Sequence, residues 1–211
     1  MSTFVRILCL AVLCVASAAG CDWVASGPKK VTSQAALKRA YWGAPQDGPS
    51  ADVTSRVTCP NGYPCDVFAN AANFGDNRTD LANKRLTVIW TCQPQRFVLS
   101  EVVISSLKVR MECAGGAPVV PRTISILEAT WGAGNASTTV DVTQQVRDIC
   151  GEDSTRCQVP AMAYIFGNQD RNVQKMLRIR FTCNGQATPG QQSMENGVAD
   201  LRCERAADIG Y

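Results

Sequence analysis

Eleven cysteines and no histidine define the chemistry this 211-residue chain can offer. Without imidazole there is no Ser-His-Asp or Cys-His nucleophile and no histidine metal ligand. The cysteines form no CxxC step, so a zinc ribbon does not fit, and no GxGxxG or Walker-type loop is present. Disulfide chemistry remains. Setting apart Cys9, Cys14 and Cys21 near the start leaves an even set: Cys59, Cys65, Cys92, Cys113, Cys150, Cys157, Cys183 and Cys203. An even set in an exported chain is read as a disulfide framework. Two carboxylates recur in the same setting, Asp52 and Asp141, each opening an Asp-Val-Thr step. There a carboxylate favours the positive end of a helix, a structural role rather than a hydrolytic one. Neither enzyme activity nor a cofactor or metal is expected.

The start of the chain explains the parity. Residues 1–20 read as a signal peptide, with Arg6 before an apolar run from Ile7 to Ala16 and small residues after it. Ala16-Ser17-Ala18 suits ordinary signal peptidase. Ala18-Ala19-Gly20-Cys21 resembles a bacterial lipobox, with Ala18 where Leu is usual, so Cys21 is the candidate lipidation site. On that route the protein is a membrane-anchored lipoprotein of the cell envelope, and without it a secreted one. Removing Arg6 lowers Lys+Arg from 21 to 20 against 18 acidic residues, so the net charge falls from +3 to +2. No basic run exceeds Lys29-Lys30, and nucleic acid is not expected as a partner.

The elements that hold the cysteines come in two sets. Trp42-Gly43-Ala44 matches Trp131-Gly132-Ala133, and Asp52-Val53-Thr54 matches Asp141-Val142-Thr143, both at an offset of 89. Cys59 and Cys65 match Cys150 and Cys157, Phe74-Gly75 matches Phe166-Gly167, and Lys84, Leu86 and Thr91-Cys92 match Lys175, Leu177 and Thr182-Cys183. Cys113 matches Cys203. A nearly constant offset along a whole unit is the mark of an internal repeat. The organisation expected is a signal peptide at 1–20, an N-terminal linker at 21–33, one module at 34–113, a linker at 114–121, a second module at 122–204 and a tail at 205–211.

Within each module the pattern is β-rich. Leu86, Val88, Trp90 and Cys92 alternate along one strand, and Leu177, Ile179, Phe181 and Cys183 along another, with Arg178, Arg180 and Thr182 facing outward. Leu107, Val109, Met111 and Cys113 alternate likewise, and 123–131 reads as a further strand. Thr143 reads as the N-cap of a helix of about two turns carrying Val146 and Cys150 at i,i+4, with a shorter version after Asp52. The segment 184–197 reads as a polar loop or hairpin arm. The fold class expected is therefore α+β and β-rich: two tandem small antiparallel-sheet modules, each with a short helix and about two disulfides. The simplest pairing is Cys59–Cys65, Cys92–Cys113, Cys150–Cys157 and Cys183–Cys203. Four cysteines admit three pairings, however, and a rival frame pairs Cys21 with Cys92 and Cys113 with Cys183.

The order aromatic-Gly, Asp-Val-Thr, Cys, Cys, Phe-Gly, Lys-x-Leu and a strand ending in Cys resembles the galactose- and rhamnose-binding lectin domain of the sea-urchin-egg type. The counterparts of its ANYG motif are Ala40-Tyr41-Trp42-Gly43 and Ala129-Thr130-Trp131-Gly132. Its later FGDPC…KYL…C motif corresponds to 74–92 and 166–183, so the resemblance covers about sixty residues of each copy. It implies a non-enzymatic, carbohydrate-binding protein with a glycan or glycoconjugate as partner. The implied ligand-binding residues are Trp42, Asp76 and Lys84 in the first copy and Trp131, Asn168 and Lys175 in the second. It also implies that the closely spaced pairs Cys59/Cys65 and Cys150/Cys157 are disulfides. The chain departs from the family in Asn168, where Asp stands in the motif, in the missing DPC cysteine, in the absence of cysteines before the aromatic-Gly step, and in having no counterpart of an early acidic residue. The alternative reading keeps the fold as a structural or protein-interaction module of the envelope without a sugar site.

Overall fold

A computed structural model describes residues 33–44, 50–76, 83–113, 122–133, 138–167 and 173–203. The signal segment, Cys21, the linker at 114–121, Asn168 and the tail from 204 lie outside the described residues. The first half runs β1 (Gln34–Gly43), β2 (Ala51–Asp52), a 3-10 turn (Thr54–Arg56), β3 (Cys65–Phe68), a second 3-10 turn (Ala71–Phe74), β4 (Arg85–Gln93), β5 (Phe97–Ile104) and β6 (Lys108–Met111). The second half runs β7 (Ile124–Gly132), β8 (Val140–Asp141), α1 (Thr143–Cys150), β9 (Arg156–Pro160), α2 (Ala163–Phe166), β10 (Met176–Cys183), β11 (Gln186–Ala187), β12 (Gln191–Met194) and β13 (Val198–Arg202).

The protein is β-rich with several sheets. One six-stranded sheet has the order β13-β9-β5-β4-β1-β2, a second contains β11-β10-β7-β8 with β12 also on β10, and β3 pairs with β6 alone. The first sheet crosses between the halves. Its joint is a parallel pair, Phe97↔Arg156 and Val98↔Cys157, the one exception to antiparallel pairing among the described strands. Local antiparallel pairing follows from short turns. A parallel contact needs a long connection, and here the whole segment between the halves supplies it.

Period-two strands supply the cores, as the alternation predicts. Val109 and Met111 are buried on β6, while Leu107 lies just before the strand and is exposed. β4 is buried on both faces: Leu86, Val88, Trp90 and Cys92 face the first core, and Ile89 joins the core of the second half together with Val98. The helix expected after Asp141 is α1, with Val142 rather than Thr143 as its N-cap. Asp141 Oδ1 accepts the Thr143 N–H at 2.8 Å, and Asp52 Oδ1 accepts the Thr54 N–H at 2.9 Å. The hydroxyl and amide of Thr54 hold the Asp52 carboxyl below its ordinary pKa, and those of Thr143 do the same for Asp141. The segment at 184–197 is a broken hairpin arm, β11 and then β12, along β10.

The eight cysteines pair locally as Cys59–Cys65, Cys92–Cys113, Cys150–Cys157 and Cys183–Cys203. By loop entropy each is worth roughly 2–3 kcal/mol, the two longer loops contributing more. Four disulfides point to an oxidising, exported environment. Among the described residues no helix is long and apolar enough to cross a membrane.

Many backbone bonds recur at corresponding positions. Ser105 N–H donates to Lys84 O and Glu195 N–H to Lys175 O; Ser106 N–H donates to Ala69 O and Asn196 N–H to Ala161 O. The repeated Trp-Gly step has a steric cause. A Cβ on Gly43 would lie 2.9 Å from Ser50 Cβ, and one on Gly132 would lie 2.3 Å from Thr138 O, because the returning chain closes on the strand at that point.

Candidate functional site

In the first half, β1 delivers Trp42 and the approach to β4 delivers Lys84; Asp76 follows the Phe74-Gly75 turn. These three meet. Trp42 Nε1 donates to Asp76 Oδ2 at 2.9 Å, and Lys84 Nζ lies 3.5 Å from the same oxygen. Trp42 packs on Phe74 with ring centroids 5.2 Å apart. The group is internal: Trp42 is 3% exposed and Lys84 2%, and the Asp76 side chain 9%. An ammonium at that depth needs a carboxylate, and an indole N–H needs an acceptor; Asp76 serves both.

In the second half the corresponding Trp and Lys are also buried, each with partners of its own. Trp131 is fully buried on Phe166, centroids 5.7 Å apart, and its Nε1 donates to Gly167 O at 2.9 Å. Lys175, 3% exposed, donates from Nζ to Val173 O at 3.2 Å and lies 3.9 Å from Glu195 Oε2. Glu195 Oε2 also accepts the Lys175 backbone N–H at 3.2 Å. Asn168, the counterpart of Asp76, is outside the described residues. Glu195 sits in the turn between β12 and β13, at the position of Ser105 in the first half. Sequence comparison did not single it out because Ser105 stands at its position in the first half. The available signal was indirect: Lys175 is retained while its expected acid is not.

In the first half Trp42, Asp76 and Lys84 come together as core rather than as an open platform, and in the second Trp131 and Lys175 are likewise buried. Neither ring offers a face to solvent. Among the described residues no three histidine, cysteine, aspartate or glutamate side chains gather as a metal cage. Two open cavities lie elsewhere among the described residues. One of about 530 Å³ sits beside Phe68 in the first half, and a groove of about 280 Å³ crosses Arg178 and Arg180 in the second. Neither was singled out from the sequence, since an exposed Phe at a strand end carries no motif.

The seam between the halves is the other polar concentration. Tyr164 of α2 is buried with its hydroxyl on Thr87 Oγ1 of β4, and burial, partly offset by that bond, pushes the phenol up to about 12. Lys38 Nζ donates to Ile149 O at 2.7 Å, and Thr155 Oγ1 to Gln95 O at 2.7 Å. On the edge pair β9–β13, Arg156 grips Asp200 through two bonds, 3.0 and 2.7 Å, and Arg202 adds another at 2.5 Å. Burial works to raise the Asp200 pKa, but the two guanidinium groups prevail and bring it to about 2.

No family model matches the chain, no curated protein matches it, and no solved structure does.

Proposed function

We propose that this chain is an exported, non-enzymatic carbohydrate-binding protein built of two tandem lectin-like modules, with residues 1–20 as its signal peptide and Cys21 as its lipid anchor. The observation that carries this reading is the recurrence of one framework around the lectin motifs. Trp-Gly, Phe-Gly, Lys-x-Leu and the two disulfides of each half occupy corresponding places with corresponding backbone bonds. In this reading Trp42, Asp76 and Lys84, with Trp131 and Lys175, hold each module together, and the ligand is met by another surface. A second reading is favoured by the burial of those side chains: an envelope module for structure or protein interaction, with no sugar site. A glycan array probed with the folded, disulfide-bonded protein separates the two. Binding to a defined glycan class is expected, and silence across the array would leave only the second reading. Mass spectrometry of the mature N-terminus tests the anchor: a diacylglyceryl mass on Cys21 is expected, and an unmodified Cys21 would refute it.

A further inference from the structure

Phe68 closes β3 with its ring outward, 56% exposed, flanked by Leu107 at 53% and Ile104 at 49%. Single exposed apolar residues are ordinary, and of these three Phe68 alone lines a cavity. The cavity of about 530 Å³ is lined by Phe68, Ala69 and Ala71 together with Asn70, Asn73, Ser105 and Ser106. Its volume lies within the roughly 300–1,000 Å³ of small-molecule sites. The walls are held by backbone bonds. Ser106 N–H donates to Ala69 O at 2.8 Å, Ala69 N–H to Leu107 O at 2.8 Å, and Ser105 N–H to Lys84 O at 2.9 Å. The buried Lys84 cluster thus supports the pocket floor from behind.

The side chains are ready to bind. Asn70 Oδ1 is engaged with the Ala72 N–H at 3.0 Å, which fixes the amide and leaves its Nδ2 as a donor. Asn73, Ser105 and Ser106 make no side-chain bond within the described residues. The lining holds no charged group. Lys108 passes 6.0 Å from the Phe68 centroid, but its ammonium is held by Asp66 at 2.6 Å. An aromatic face with amides and hydroxyls around it, and no counter-charge, suits a ligand with an apolar C–H face and a rim of hydroxyls. An anionic ligand would find no partner there.

The corresponding positions in the second half are closed among the described residues. Pro160 stands where Phe68 does and is buried, and Met162 stands where Asn70 does and is also buried.

We propose that the Phe68 pocket is a binding site for a neutral saccharide, one per chain, in place of the buried Trp–Lys positions. This rests on the carbohydrate reading above. The test is a glycan array printed with neutral and acidic glycans at equal density, probed with wild type, Phe68→Ala, Phe68→Trp and Asn73→Ala. Phe68 and Asn73 are exposed, so the variants should fold, and unchanged thermal melting verifies it. Expected are neutral hits for wild type, a loss of tenfold or more for Phe68→Ala, retention by Phe68→Trp and a several-fold loss for Asn73→Ala. Neutral hits unchanged in Phe68→Ala would overturn the site while leaving carbohydrate binding standing. Hits confined to acidic glycans would also overturn it, and silence for wild type would remove both proposals.

Discussion

The two halves place the same residues on the same elements and then diverge at three sets of positions. At the cluster, Lys84 is answered by Asp76 from the loop after Phe74-Gly75, and Lys175 by Glu195 from the turn after β12. On the paired edge strands, Asp66 on β3 faces Arg110 on β6, whereas Asp200 on β13 is gripped by Arg156 of β9. The acid has crossed to the other strand, yet a carboxylate still meets a guanidinium. At the seam, Thr87 and Ile89 of β4 are buried, while the corresponding Arg178 and Arg180 of β10 look outward, Arg180 paired to Glu128 at 3.0 Å. The lesson is that a buried charge specifies that it be compensated, not which residue compensates it. Burial, in turn, is decided by which face the neighbouring half covers. That face of β4 is buried with Thr87 and Ile89, and the face of β10 carrying Arg178 and Arg180 is not.

Exchanging the seam residues should break this comparison most severely. Ile89→Arg would place an unpaired guanidinium in the core shared by the halves and cost about 4 kcal/mol or more in urea unfolding. The reverse change, Arg180→Ile, touches only solvent and one exposed ion pair, and should shift stability by less than about 0.5 kcal/mol. Equal effects would mean that the halves do not share a core.

A smaller and more discriminating contrast lies in the clusters. Asp76→Asn, which copies the residue type at Asn168, removes the carboxylate beside the buried Lys84 and should cost about 3 kcal/mol. Glu195→Gln leaves Lys175 its bond to Val173 O and removes only a 3.9 Å pair, so about 1 kcal/mol is expected. A larger loss for Glu195→Gln would reverse the ranking of the two acids.

A third contrast is the pH dependence carried by Asp200. The Asp200 pKa is depressed to about 2 in the folded protein, so its stabilisation is complete above the unfolded value near 4 and is lost as pH falls from there towards 2. With its side chain 26% exposed, the contribution is about 1–2 kcal/mol. Asp200→Asn should flatten the stability profile between pH 4 and pH 2 by that amount, measured by thermal unfolding across the range. A profile identical to wild type would show that the guanidinium grip contributes nothing.

Much of this was legible in the chain. The alternation in 85–92 and 176–183 marked strands with one face buried, which understated β4, and Asp-Val-Thr marked a helix start in each half. The local cysteine pairing agrees with the simplest of the three open to it, because cysteines at the ends of adjacent short elements have little else within reach. The resemblance singled out Trp42, Asp76 and Lys84, and in the structure these three touch. Their depth was not legible, since Trp at a strand end is equally suited to a core and to a sugar platform.

The sequence by itself determined the local chemistry: an even set of cysteines for disulfides, strands of period two, and corresponding landmarks at nearly constant offset. All of these depend on residues within a few positions of one another or on counting. The tertiary structure alone decided that β5 reaches β9 in parallel, that Ile89 serves the other half, that Glu195 answers Lys175, and that Trp42 and Trp131 are covered while Phe68 is not. Each of those depends on which surface is removed from water when distant segments meet, and burial is a property of the assembled fold, not of any stretch of the chain.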